Sequence, residues 1–410
     1  MGRASRPFSM LEFEEALARV LAAVPAPTRE NVSLNDSAGR VLAERIRSPL
    51  DLPSFDNSSM DGYALRAADV ASAKLNSPVC LRLAGKVAAG ETFTGEVMTG
   101  TCVRLFTGSP LPPGADAVVM QEETRVEPNA AGEVLILAPV GPGENVRSRA
   151  EDVQQGSTLA EAGELLTAGR IGLLAAVGLN RVPVGRQPVV GLLATGSELQ
   201  EPGQPLAPGR IYESNRIALA AILKRAGAVP VTFPLVVDLL AATSTALTEA
   251  FSQCDAVVTS GGVSVGEMDF IKHAFEQMGG ELQFWKVAIK PGRPFVFGRY
   301  RGKLLFGLPG NPVSALVTFL LLVRPALLRW QGATDVSLPT PPGVLAEPLV
   351  NHGERRHFMR VRLDSTSKVR SAGAQASHIL SSVAAANGLV DVPADTTLSA
   401  GAAVAVLRWD

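Results

Sequence analysis

Histidine and cysteine are scarce in this chain of 410 residues, and their scarcity removes most metal-centred and nucleophilic chemistries at once. The four histidines, His273, His352, His357 and His378, are scattered, which argues against His-based metal sites and against a Ser-His-Asp triad. The three cysteines, Cys80, Cys102 and Cys254, include no CxxC pair. Neither a disulfide framework nor a zinc or iron–sulfur site is therefore expected, and a reducing cytoplasm suits the chain. Charge of one sign is missing too: 38 Lys+Arg against 39 Asp+Glu leaves a net charge of −1. No bulk electrostatic case exists for a nucleic-acid or membrane partner, so any anion site must be local. The longest apolar run, 315–323, is too short to span a bilayer and ends at Arg324-Pro325. Near the start, Glu12, Glu14 and Glu15 stand where a signal peptide would need an apolar region, and Arg6 breaks the myristoylation pattern. There is no P-loop, and the glycines at 141–145 lack the third glycine and preceding strand of a dinucleotide fingerprint. The remaining chemistry must use carboxylates, Lys and Arg, and backbone amides.

Glycine (39) and proline (29) are plentiful and predict many turns, while the length calls for two to four domains. Residues 9–24 read as an amphipathic helix, with Ser9 as cap and Glu12 as its capping-box partner; a second short helix is expected around 36–44. From about 78 to 139, short apolar runs between Gly and Pro turns predict a small all-β module. A helical segment is expected at 167–179. Between 188 and 330, strand patterns (189–195, 229–237, 256–259, 284–289, 295–297, 304–307) alternate with helical ones (215–226, 242–252, 268–278, 312–330). That alternation predicts a mostly parallel sheet with ligands at the carboxyl ends of its strands. After the proline-rich stretch 338–343, short alternating strands predict a β-barrel-like domain.

The stretch on which the rest is organised is VVTSGGVSVGEMDFIK, 257–272. It reads as strand, glycine turn, helix start, an order that presents backbone N–H groups to an anion with no Cβ in the way. A second such turn, LPGNPV at 308–313, follows another apolar run, and Lys290-Pro-Gly-Arg293 sets two cations on a rigid turn between them. Taken singly, each loop is also what an ordinary strand-to-helix connection with a polar cap requires. Thr195-Gly-Ser-Glu198 and Asp238 fall at the ends of the other strands, so several loops on one sheet edge would make one site.

The segments SGGVSVGEMDF, FWKVAIKPGRPFVFG, LPGNPVSALVTF, LPSFDNSSMDGYALR, TGSPLPPGADAVVMQEE, GENVRSRAEDV and ATGSELQEPGQPL resemble the signatures of the molybdopterin molybdenumtransferase (MoeA) family, relatives of the gephyrin and plant Cnx1 E domains. The resemblance covers nearly the whole chain. It implies an α/β sandwich domain that binds molybdopterin (186–332), an inserted small β domain (51–139), an elongated linker and dimerisation domain (1–50 and 140–185), and a C-terminal β-barrel-like domain (335–410). The implied reaction inserts molybdate into adenylyl-molybdopterin and releases AMP; the runner-up readings are the preceding adenylyltransferase step and a non-catalytic cofactor-binding scaffold. By resemblance, Asp61, Thr107, Asp152, Glu198, Asp238 and Asp269 are catalytic, and Glu198, Asp238 and Asp269 hold Mg2+. Ser260, Gly261, Gly262, Ser264, Gly266, Pro309, Gly310, Asn311 and Pro312 bind the pterin and its phosphates. Lys290, Arg293, Pro294, Arg355 and Ser377 bind molybdate. A homodimer and contact with the adenylyltransferase are implied as well. Relatives commonly have Gly for Ala150, Lys for Arg293 and a second Asp for Leu239.

Overall fold

The computed structural model describes residues 10–127, 132–263 and 270–409. The chain forms two compact units, one of Met1–Glu44, Ala162–Leu166 and Arg181–Asp410, the other of Arg45–Glu161 and Thr167–Asn180.

In the first unit the apolar runs of 188–330 become a six-stranded sheet in the order Val229–Thr232, Val189–Ala194, Ala256–Ser260, Lys303–Leu308, Pro294–Tyr300, Glu281–Lys286. The first four strands are mutually parallel, Pro294–Tyr300 runs antiparallel to both its neighbours, and Glu281–Lys286 runs with the first four. The sheet is thus mostly parallel, as expected, and Pro294–Tyr300 is reversed because Tyr300 and Lys303 pair across a tight turn in which Arg301 (φ 48°) and Gly302 (φ 80°) are both left-handed. Alternation along the strands builds a core on each face. Val190, Leu192, Val258, Leu304 and Phe306 point to one side. Leu193, Val257 and Leu305 point to the other, against the helices Leu240–Gln253 and Phe270–Gln277.

The first core also takes in Ala16 and Val20 of the helix Phe13–Ala23, and Phe358 and Leu389 from the C-terminal strands. That helix begins after Glu12, which makes no side-chain cap bond, and Ser9 lies outside the described residues. Helical structure continues through 312–330, with a π-helical segment at Phe319–Val323 before Pro325. Proline donates no N–H, and the wider turn absorbs the break without ending the helix. The stretch is long and apolar enough to cross a membrane, but 83% of it is buried in this core.

The helix expected at 36–44 is absent. Leu34–Asp36 is a single 3-10 turn, Gly39 turns left-handed (φ 71°), and Gly39 and Leu42 then donate to the carbonyls of Leu166 and Glu164. A segment distant in sequence supplies these bonds, so local propensity is overridden. The C-terminal residues form a seven-stranded sheet that includes Ile289–Lys290, paired in parallel with Arg356–His357.

The second unit holds a six-stranded sheet in the order Ala117–Met120, Gly62–Leu65, Thr101–Leu105, Val79–Val87, Glu133–Ile136, Thr124–Arg125, cored on both faces. Gly62 is obligatory there, since a Cβ would lie 2.1 Å from the Val119 carbonyl oxygen. Ala150 takes φ 61° and donates to Pro53 O at 3.0 Å, so the left-handed turn that suits glycine persists with alanine.

Candidate active site

Ser260 ends its strand buried, and Gly261 (φ 87°) and Gly262 (φ 66°) then reverse the chain in a conformation that side chains resist. Strand Lys303–Leu308 ends beside it, and Gly261 N–H donates to Leu308 O at 3.2 Å. Both turns, with Thr195, Glu198, Tyr212, Asn215, Asp238 and Pro309–Pro312, line a cavity of about 670 Å³ at the carboxyl ends of the parallel strands. The expected convergence of Glu198, Asp238, Ser260, Gly261, Gly262, Pro309, Gly310, Asn311 and Pro312 is therefore found. Ser264, Gly266 and Asp269 lie outside the described residues. Thr195 Oγ1 is buried beside this turn with no hydrogen-bond partner among the described residues.

Asp238 accepts Ser197 N–H at 2.8 Å while its own N–H donates to Ser197 Oγ at 3.1 Å, so one carboxylate oxygen also holds the loop. Glu198 has no such partner among the described residues. No group of three acidic, His or Cys side chains that could hold a metal occurs among the described residues. Two carboxylates with room beside them for a phosphate are nevertheless a fitting donor set for Mg2+, which binds few protein ligands alongside substrate oxygens.

A second cavity of about 590 Å³ shares Pro294, Pro309, Asn311 and His378 with the first and adds Lys290, Gly292, Arg293, Ser314, Arg355 and Ser377. Lys290, Arg293 and Arg355 form no ion pair among the described residues. Three cations without an ion-pair partner among the described residues, set on one concave surface, repel one another and attract an anion. Burial and then the neighbouring Arg293 charge hold the Arg355 guanidinium below its usual range. Its Nη1 is fixed by donation to Ile289 O at 2.8 Å. The adjacent Arg356 instead pairs with Asp391 at 2.5 Å and with Glu14.

Asp61 and Thr107 belong to the second unit and act as one group: Asp61 Oδ1 accepts both the Thr107 N–H and its hydroxyl at 2.8 Å. These bonds from Thr107, backbone first, hold the carboxyl below the usual range. Asp152, in the same unit, has an exposed side chain with no hydrogen-bond partner among the described residues.

Sequence reading missed Arg360. Arg360 is buried and donates to the carbonyls of Ala374 (2.9 Å) and Ala376 (3.2 Å), while Gln375 exchanges hydrogen bonds with the Arg360 backbone. Together they fix the loop that carries Ser377. An arginine in an alternating strand gives no signal that it faces inward.

His357, paired in register with Lys290, is 2% exposed, and its Nε2 has no hydrogen-bond partner among the described residues. Burial, then the charges of Lys290, Arg360 and Arg355, push it down from 6.5 to about 4. The folded protein thus refuses a proton that the unfolded chain accepts, so stability is full above about pH 6.5 and falls as pH drops toward 4. The loss should be on the order of 3 kcal/mol. Urea midpoints measured from pH 7 to pH 4 should fall less steeply for His357→Gln than for wild type; parallel profiles would show that another group is responsible.

A cavity lined by glycine turns at the carboxyl ends of parallel strands, with Lys290, Arg293 and Arg355 lining a second cavity that shares its wall, is the arrangement of an α/β protein that binds its ligand at the strand ends. The MoeA N-terminal region (domain I and II) matches residues 11–178, the "Probable molybdopterin binding domain" matches 191–329, and the MoeA C-terminal region (domain IV) matches 342–409. The molybdopterin molybdenumtransferase of Haemophilus influenzae is 39% identical over 404 residues, covering 97% of this chain and 98% of its own length. That of Bacillus subtilis is 37% identical over 373 residues, 87% of each chain. Among solved structures, the molybdopterin biosynthesis MoeA protein of Pyrococcus horikosii matches with a TM-score of 0.82 at 34% identity, over 98% of this chain and 100% of that one. The chain belongs to the MoeA family of molybdopterin molybdenumtransferases, enzymes of molybdenum cofactor biosynthesis.

Proposed function

We propose that the chain inserts molybdate into adenylyl-molybdopterin, releasing AMP and leaving molybdenum on the pterin dithiolene. The observation that carries this reading is the pair of cavities with a shared wall, one made of glycine turns and the other of unpaired cations. Backbone N–H groups at Gly261 and Gly262 would hold the phosphates, and Pro309–Pro312 the pterin side. Lys290, Arg293, Arg355 and the Ser377 hydroxyl would hold molybdate next to the dithiolene, so that two anions meet in a fixed orientation. Glu198 and Asp238, with Asp269, would hold Mg2+, which supplies charge neutralisation at the phosphoanhydride. Adenylyl-molybdopterin would come from the adenylyltransferase, in the cytoplasm.

Incubating the protein with adenylyl-molybdopterin, Mg2+ and molybdate should release AMP at a rate that rises with molybdate; release independent of molybdate would sink the reading. The working form is a homodimer through the segments 1–50 and 140–185, in which Asp61 and Thr107 serve the partner's cavities. Sedimentation at micromolar concentration should give twice the 42.9 kDa chain mass, and a monomer would refute this assembly.

A further inference from the structure

Asn215, the first residue of the helix Asn215–Arg225, lies in the wall of the first cavity. Its side-chain Nδ2 donates to Ser260 Oγ at 2.6 Å and to the Gly310 carbonyl at 2.7 Å. A carbonyl only accepts, so the amide orientation is fixed by chemistry. One side chain thus bridges the two glycine turns, which approach so closely that a Cβ on Gly310 would lie 3.6 Å from Gly261 Cα. The bridge continues: Asn311, next to Gly310, donates from Nδ2 to Ser377 Oγ at 3.2 Å, and Ser377 lines the second cavity.

We propose that Asn215 is a positioning residue that sets the spacing of the two turns and, through Gly310 and Asn311, aims the Ser377 hydroxyl at the oxyanion. This rests on the function proposed above. The chain of contacts makes molybdate affinity depend on a residue outside the molybdate cavity, which a merely local structural role would not do.

Asn215→Asp tests it with little risk to the fold. The carboxylate matches the amide in size, and an acid in the first turn of a helix is stabilising, but it cannot donate to Gly310 O. The expected result is a molybdate concentration for half-maximal AMP release raised about tenfold, with a thermal midpoint near wild type. Asn215→Ala should show the same shift without placing a negative charge beside Gly310. Calorimetry with molybdate alone reads the same spacing without the pterin. Unchanged molybdate half-saturation and affinity in both variants would overturn the proposal. A wild-type protein that binds molybdate yet releases no AMP would overturn the proposed reaction instead, and the positioning role would still be judged by whether the variants bind molybdate more weakly.

Discussion

Arg355→Ala should raise the molybdate concentration for half-maximal AMP release by about a hundredfold, and Arg293→Ala by about tenfold. A charge-assisted hydrogen bond contributes roughly 1.5–3 kcal/mol, which spans that range. Arg355 belongs at the upper end because it is half-buried and tied to Ile289 O, so its charge acts in a lower dielectric and has little freedom to lose. Arg293 is exposed and better screened. Arg293→Lys keeps the charge and should stay near wild type. Binding of adenylyl-molybdopterin should hardly change in any of the three, since under the proposed reading its phosphates would meet backbone amides. If Arg293→Ala instead weakens pterin binding and leaves the molybdate dependence untouched, the 290–293 turn serves the nucleotide.

Gly261→Ala should lower AMP release by at least about a hundredfold, the penalty for displacing a reacting group by about 1 Å. At φ 87° a side chain is strained, and the new methyl would lie 2.5 Å from the Thr195 carbonyl oxygen, a backbone atom that cannot swing aside. Thr195 N–H donates to Ser260 O at 3.1 Å, so relief of the clash would spread into both strand ends that form the first cavity. Gly302→Ala is the control. Its φ of 80° carries similar strain, but nothing lies within 4 Å of the added carbon. A modest loss of thermal stability in Gly302→Ala, a larger one in Gly261→Ala, and loss of AMP release only in Gly261→Ala is the expected pattern. Equal activity in the two would mean that the turn at 261 does not shape the site.

The central sheet was legible because its strands are apolar on both faces and each ends in a glycine or polar turn, so Val189–Ala194, Ala256–Ser260 and Lys303–Leu308 fall within a residue of the expected bounds. The antiparallel edge was less so, since the turn that decides it, Arg301-Gly302, is short and the expected strands at 295–297 and 304–307 fit either direction. The choice between adjacent Arg355 and Arg356 was carried by the resemblance, and the structure gives it a physical basis. Arg356 meets Asp391 from another strand and Glu14 from the first helix, partners that sequence spacing does not reveal. Asn215 was invisible for the same reason, as both its partners lie at strand ends far along the chain.

The parallel pairing of Ile289–Lys290 with Arg356–His357 bears on how the first unit melts. Two matched regions, 191–329 and 342–409, are joined there by a shared sheet and by a core in which Phe358 and Leu389 pack with Phe295 and Phe319. Elements that share a ladder and a core tend to open together, so neither region has a separate unfolding transition to offer. Denaturation that releases the C-terminal strands should at the same moment release Lys290, and the second cavity exists only while both regions are folded.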